Sequence, residues 1–286
     1  MTLSIIIVSY NAREHLENCL RSLRDAPPAI PHDITVVDNA SADDSVGAIR
    51  ARWPEVQLIA QSRNTGFAAA NNVGIRATRG ELILLLNNDT IVPPGSLDRL
   101  CERLRAHSDA GAAGPRLVDA QGRIELSFGP MISPVAELRQ KLLLRVYERD
   151  VAAVTRWVAR ATARERFVDW VSGACLLVSR QDAEAVGLLD ERYFLYAEDV
   201  DFCAAIRARG RRILFTPAAE VTHLRGRSRA TVADAMNPAY RRSQLAFYEK
   251  HHPAWAPVLR AYLRLKGDNP PEEPGRPGRA RRPGRP

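Results

Sequence analysis

Over its first hundred or so residues the chain alternates short apolar runs with stretches of helical period, and this order points to a parallel β-sheet with helices on its faces. Residues 3–9 form a β-branched run. Residues 12–24 follow as a helix, with Leu16, Cys19, Leu20 and Leu23 at helical spacing. Residues 34–37 make the next strand. Ser41-Ala42-Asp43-Asp44 reads as a helix entry, because a capping Ser with an acid three residues on satisfies free backbone donors. Residues 56–59, 66–77 and 82–86 continue as strand, helix and strand. The strands end in polar residues: Ser9-Tyr10-Asn11, Asp38-Asn39 and Asn87-Asn88-Asp89. Open parallel sheets bind ligands at the carboxyl ends of their strands, so these ends are the first candidates for a site.

Past Gly111 the alternation loosens. Residues 112–117 and 123–126 read as strands, 135–166 as helical and rich in Leu and Arg, and 170–178 as a buried run ahead of the densest polar cluster. Late strands are expected at 213–216 and 220–223, and two helices within 240–266, parted at Pro253. With 45% hydrophobic and 26% charged residues, the body of the chain has the composition of a globular domain, and 286 residues suffice for one substantial core. The segment 269–286 is almost entirely Pro, Gly, Arg and Glu and is expected to be a disordered tail behind a single domain at 1–268.

The formal net charge of +8 raises a non-catalytic reading as a basic nucleic-acid-binding protein. That reading calls for clustered Lys and Arg with interleaved aromatics on the folded body. Here Arg276, Arg279, Arg281, Arg282 and Arg285 lie in the tail and the remaining excess is diffuse, so no specific nucleic-acid partner is expected. The same charge favours an anionic membrane leaflet or a phosphate-bearing substrate. Cys19, Cys101, Cys175 and Cys203 form neither a CxxC pair nor a metal knuckle and read as buried thiols of a reducing compartment. The first residues run into a strand without a charged leader, and no stretch reaches the roughly 20 apolar residues that span a bilayer. The expectation is a cytoplasmic protein, at most peripheral on the inner membrane face.

Four clusters can carry chemistry, and each has a plainer alternative. Asp38 closes the second strand, where an acid accepts hydrogen bonds from a ribose or base edge or else caps an Asx turn. The segment 64–74 (Asn-Thr-Gly-Phe-Ala-Ala-Ala-Asn-Asn-Val-Gly) opens a helix with small residues. That suits close approach of a phosphate-bearing ligand or simply tight packing, and it is neither GxGxxG nor a P-loop. Asn87-Asn88-Asp89 delivers an acid from an apolar strand, either to a cation-bound diphosphate or to a turn. Glu198-Asp199-Val200-Asp201 sets three carboxylates beside large apolar residues. They raise one another's affinity for protons, as a general base requires, or they offset a helix dipole.

Taken in order, Asn11, Asp38, the 64–74 segment, Asn87-Asn88-Asp89, Gly173-Ala174, Glu198-Asp199-Val200-Asp201 and His223 resemble the signature series of family 2 glycosyltransferases. The likeness runs from about residue 3 to about residue 250. It is closest to the branch that includes bacterial rhamnosyltransferases of cell-wall and O-antigen assembly. The resemblance implies an α/β fold of the GT-A type, a Rossmann-like and mainly parallel sheet flanked by helices, with C-terminal helices and the tail. It also implies a nucleotide-sugar half at about 1–118 and an acceptor half at about 119–268.

Position by position, the resemblance implies that Asp38 contacts the nucleotide base and that Asn64 and Gly66 lie along the nucleotide and phosphates. Asn11, Asn72 and Asn88 complete the implied donor set. The DxD motif of the family falls on Asn87-Asn88-Asp89. Its first acid is replaced by Asn87, which leaves Asp89 as metal ligand, with His223 on the same Mg²⁺ or Mn²⁺ ion. Asp199 corresponds to the catalytic base, and Gly173, Glu198 and Asp201 lie on the acceptor side. The implied reaction is inverting transfer from a nucleotide-sugar donor, dTDP-rhamnose favoured, to a glycan or lipid-linked acceptor. A nucleotidyltransferase, the enzymatic alternative, carries a Gly-rich Arg/Lys loop near the N-terminus, and Val8-Ser9-Tyr10-Asn11 is not one.

Overall fold

The computed structural model describes residues 2–149, 151–224 and 233–266; the expected tail at 269–286 lies outside them. The first part runs β1 (Leu3–Ser9), α1 (Arg13–Asp25), β2 (His32–Asp38), α2 (Ser45–Arg52), β3 (Gln57–Ala60), α3 (Phe67–Ala77) and β4 (Leu82–Asn87). This matches the expected alternation, with one correction. Helix α2 begins four residues after Ser41, because the Ser41 hydroxyl instead accepts the Asn11 N–H at 2.9 Å. Asp43 takes the Ser45 N–H at 3.2 Å.

The second part comprises β5 (Thr90–Ile91), α4 (Ser96–Ala106), β6 (Ala110–Val118), β7 (Ile124–Glu125), β8 (Phe128–Gly129), α5 (Pro134–Tyr147) and α6 (Ala152–Ala161). It continues with β9 (Arg166–Val168), β10 (Trp170–Val171), β11 (Cys175–Ser179), α7 (Arg180–Ala185), α8 (Glu198–Ala208), β12 (Arg212–His223), α9 (Ala233–His251) and α10 (Ala256–Leu265). The main sheet has the order β3-β2-β1-β4-β11-β6-β12-β5. Neighbours are parallel from β3 to β4 and again between β6 and β12, whereas β11 runs antiparallel between β4 and β6. The two strands expected at 213–216 and 220–223 are one strand, β12, whose register shifts between Thr216 and Glu220. A bulge of this kind bends a strand without ending it. The apolar run at 170–178 divides instead into β10 and β11, with Gly173 and Ala174 between them.

The sheet is buried on both faces, which is why its central strands are apolar throughout rather than alternating. Ile5 and Ile7 of β1 pack with α1 and α4 residues such as Leu16 and Leu100, while Ile6 faces the other way, with Tyr193, Phe202 and Phe247. The four cysteines are buried and free, as the sequence suggested. Among the described residues no helix is long and apolar enough to cross a membrane.

Candidate active site

Register brings the polar strand ends to one edge of the sheet. Ser9 lies beside Asp38 on the parallel β1–β2 pair, and Val8 beside Asn87 on β1–β4. Because β11 is antiparallel to β4, its beginning meets the end of β4: Cys175 pairs with Leu86, and the Asn87 N–H donates to the Ala174 carbonyl at 3.0 Å. His223 at the end of β12 pairs with Thr90.

On the β2 side, amides hold one another. Asn39, only 3% exposed, donates from Nδ2 to Asn64 Oδ1 at 2.8 Å and to the Gly66 carbonyl at 3.2 Å. Its Oδ1 accepts the Thr65 N–H at 2.9 Å and Gln61 Nε2 at 3.2 Å. Asn64 Oδ1 also takes the Gly66 N–H. Gly66 has φ +86°, and a Cβ there would come within 2.5 Å of the Phe194 carbonyl oxygen, so the turn needs glycine. The Phe67 N–H donates to that same carbonyl at 2.7 Å, which pins the start of α3 to the segment leading into α8. Asp38 does cap a turn, its Oδ2 accepting the Ser41 N–H at 2.9 Å, but its Oδ1 is buried without a hydrogen-bond partner. Exposed Asn11 uses its side-chain carbonyl on the Ala42 N–H at 2.7 Å and so ties the loops after β1 and β2 together.

At the end of β4, Asn88 Nδ2 donates to Ser9 Oγ at 3.1 Å and Asn87 Nδ2 lies 3.4 Å from His223 Nε2. That same Nε2 is 3.3 Å from Asp89 Oδ1, and Nδ1 is 3.2 Å from Glu125 Oε2 on β7. Burial works against a charged imidazole here, but hydrogen bonds to Asp89 and Glu125 outweigh it and raise His223 to about 9. Glu125, itself 8% exposed, is a part of this group that the sequence did not reveal.

Helix α8 begins after two residues with left-handed backbone, Tyr196 and Ala197, at φ +71° and +69°. Partly buried Asp199 accepts the Gly173 N–H on Oδ2 and the Val200 N–H on Oδ1, each at 2.8 Å. Burial lifts its pKa above the ordinary aspartate value, and backbone N–H donors, those of Gly173 and Val200 foremost, pull it part of the way back. Glu198 is 6% exposed with Oε2 unpartnered; burial first, and the Asp199 charge second, push it well above the usual carboxylate range.

The third acid does not join them. Asp201 points to α9, where Lys250 Nζ lies 2.9 Å from its Oδ2 and His251 Nε2 lies 2.6 Å from its Oδ1. The expectation that three carboxylates act on one another is corrected to a pair, Glu198 and Asp199. Asn72 also stands apart, donating to the Leu189 carbonyl and to Glu191 while accepting the Leu189 N–H. Asn72 and Asp201 share a cavity of about 350 Å³ with Arg76, Glu191 and Lys250, and none of the strand-end side chains lines it.

The edge therefore gathers Asn11, Asp38, Asn64, Gly66, Asn88, Asp89, Gly173, Glu198, Asp199 and His223, while Asn72 and Asp201 brace α3 and α9. A line of contacts runs across it: Asp199 accepts the Gly173 N–H, the Asn87 N–H donates to the carbonyl of the neighbouring Ala174, and His223 Nε2, paired with Asp89, lies beside the Asn87 side chain. Among the described residues no set of three His, Cys, Asp or Glu side chains forms a ready metal cage. Asp89 and His223 offer one oxygen and one nitrogen.

The family model described as Glycosyl transferase family 2 matches residues 4–174. The chain is 32% identical over 281 residues to an N-acetylglucosaminyl-diphospho-decaprenol L-rhamnosyltransferase of Mycobacterium tuberculosis, covering 92% of this chain and 91% of that protein. It is 27% identical over 273 residues to the O-antigen biosynthesis protein RfbC of Myxococcus xanthus, covering 91% of this chain and 20% of that longer protein. The solved mannosyltransferase PcManGT from Pyrobaculum calidifontis, in complex with GDP-Man and Mn²⁺, superposes with a TM-score of 0.60 at 19% identity. That match covers 92% of this chain and 69% of PcManGT. GalNAc-T7, solved with UDP, GalNAc and Mn²⁺, gives 0.62 at 16% identity, covering 94% of this chain and 53% of that one. At such identities the likeness establishes the fold, which is of the GT-A type.

Proposed function

Since the chain belongs to glycosyl transferase family 2 and is a glycosyltransferase, we propose that it moves a sugar, L-rhamnose foremost, from a nucleoside diphosphate to a hydroxyl of a lipid-linked or polysaccharide acceptor, with inversion at the anomeric carbon. The observation that carries this reading is the line from Asp199 to Asp89 at one sheet edge. It offers a proton acceptor at one end and a charge-bearing pair at the other.

On the donor side, the buried and unpartnered Oδ1 of Asp38 is suited to accept a hydrogen bond from the base, and Asn64 and Gly66 line the path of the nucleotide. Asp89 and His223 are the residues that would hold a divalent cation. Asp89 Oδ1 and His223 Nε2 lie 3.3 Å apart and would offer the ion an oxygen and, once His223 gives up its Nε2 proton, a nitrogen. Two protein ligands suffice where substrate phosphates supply others, and an oxygen and nitrogen pair suits Mn²⁺ or Mg²⁺. When bound, the ion supplies countercharge to the departing nucleoside diphosphate. Glu125 fixes the His223 ring from its far nitrogen, as partners of metal-binding histidines commonly do.

On the acceptor side, Asp199 is the base. Two backbone donors orient its carboxylate and its partial exposure leaves room for a hydroxyl. The acceptor oxygen attacks the anomeric carbon as the bond to the diphosphate breaks, and its proton passes to Asp199. Glu198, held toward its neutral form by burial, keeps a second negative charge from forming beside Asp199.

A panel of dTDP-, UDP- and GDP-sugars, offered with a GlcNAc-diphospho-lipid and Mn²⁺, tests the reading. Transfer from dTDP-rhamnose with inverted configuration at the new linkage is expected. A retained configuration, or donor hydrolysis with every acceptor, would contradict it.

A further inference from the structure

The solvent sides of α5 and α10 carry exposed apolar side chains. On α5, Val135, Leu138 and Leu142 are each more than half exposed and recur at i, i+3 and i+7, which aligns them in one stripe. The opposite side of α5 is the one that packs: Glu137 accepts hydrogen bonds from Tyr240, Gln244 and Tyr248 of α9. Helix α10 repeats the arrangement. Ala256 and Leu263 are buried against the body, while Val258 and Leu265, seven residues apart, and Trp255 just ahead of the helix are half to nine-tenths exposed. The two stripes start at one corner, where His252 Nε2 lies 2.6 Å from the Ile132 carbonyl, two residues before α5 and three before Trp255.

The charge around these stripes has one dominant sign. Arg139 and Arg145 flank the α5 stripe and Arg149 follows it, all exposed. On α10 Arg264 is exposed and Lys266 lies with its Nζ 5.1 Å from the centre of the Tyr262 ring. Five more arginines, Arg276, Arg279, Arg281, Arg282 and Arg285, follow in the sequence. A second copy of the chain would bring these like charges together. An anionic bilayer meets them with the opposite sign and accepts the apolar side chains between them. Helices lying in a membrane interface have this composition: aliphatic side chains and Trp on one face, with Arg and Lys beside them.

We propose that the outer faces of α5 and α10 form a docking surface for an anionic lipid bilayer. The surface is coupled to the active-site edge through α9, which accepts α5 on one side and reaches the α8 entry on the other. There the Ser243 hydroxyl donates to the Leu195 carbonyl at 2.7 Å, and Lys250 and His251 hold Asp201. The inference goes beyond the transfer reaction and stands without it.

The test is sedimentation of the full chain with phosphatidylcholine vesicles, with and without phosphatidylglycerol. Leu138→Ser/Leu142→Ser and Val258→Ser/Leu265→Ser variants are compared with the unaltered protein. All these side chains are exposed, so unchanged melting temperatures are expected. The unaltered chain should partition to the anionic vesicles about tenfold or more better than to neutral ones, and each double variant should lose about tenfold. Transfer to a water-soluble acceptor, measured without vesicles, should be the same in all three proteins, which separates failure of docking from failure of the enzymatic reading. Absence of binding, binding indifferent to the substitutions or to phosphatidylglycerol, or a solution dimer abolished by the same substitutions would overturn the proposal.

Discussion

Around Asn39 nearly every polar atom is matched: its amide serves Asn64, Thr65, Gly66 and Gln61, and Asn64 in turn holds the Gly66 N–H. At the start of α8 on the same edge, Glu198 has a buried oxygen with no partner, and Asp199 is held by backbone donors alone. The first region is a scaffold whose hydrogen bonds stabilise the fold. The second keeps carboxylates in surroundings that disfavour their charge, which costs stability and raises their affinity for a proton. The difference teaches where damage should appear. Changes at Asn39 itself should act chiefly on stability, and changes at Asp89 and Asp199 should lower rate or donor binding with little loss of stability.

The largest effect is expected at Asp89. Asp89→Ala should reduce transfer about a hundredfold or more by removing countercharge from the leaving diphosphate. Its donor dissociation constant, read by calorimetry, should rise in the presence of Mn²⁺ and change little without it. An equal rise in both conditions would dissociate Asp89 from the cation. Gly66→Ala should destabilise the protein by about 3 kcal/mol, combining the left-handed backbone with the clash on the Phe194 carbonyl. Denaturant unfolding that moves by only a few tenths would show that the turn yields. Asn39→Ala should cost about 2 kcal/mol, since it strips partners from several buried groups. If it abolished transfer while leaving the unfolding midpoint in place, the division between the regions would fail. The smallest effect belongs to Glu198→Gln. Its melting temperature should stay the same or rise by about 3 °C at most, because a buried acid already pushed toward its neutral form loses no favourable charge.

Much of this edge was legible because a parallel strand that ends in polar residues declares both its chemistry and its place in the fold. Asp38 and His223 each end a strand, and Asp89 follows the apolar strand β4 by two residues. The misreadings have geometric causes. Residues 199 and 201 are close in sequence, yet on a helix they are about 200° apart, so one carboxylate faces Gly173 and the other faces α9. That separation follows from helical period once α8 is known to begin at Glu198, and the sequence read the acids only as a cluster. Asn72 sat in a ligand-like segment, but its position over a turn into α3 turns it toward Leu189. Glu125 had no local signal: it stands on a two-residue strand, and its partner is 98 positions away.

The measurement that bears most directly on the account is turnover of Asp199→Asn beside its donor dissociation constant and its pH profile. The substitution keeps shape and hydrogen bonding but cannot take the acceptor proton. Turnover should fall about a hundredfold or more. Donor affinity should stay within about twofold of the unaltered protein, and the melting temperature should not fall. In the unaltered enzyme a base works only when deprotonated, so activity should be lost as pH falls through a value above the 3.8 of an ordinary aspartate, and that acid limb should vanish from the residual activity of the variant. Near-normal turnover in Asp199→Asn with the acid limb intact would contradict the assignment of the base and, with it, the division of labour between the two regions.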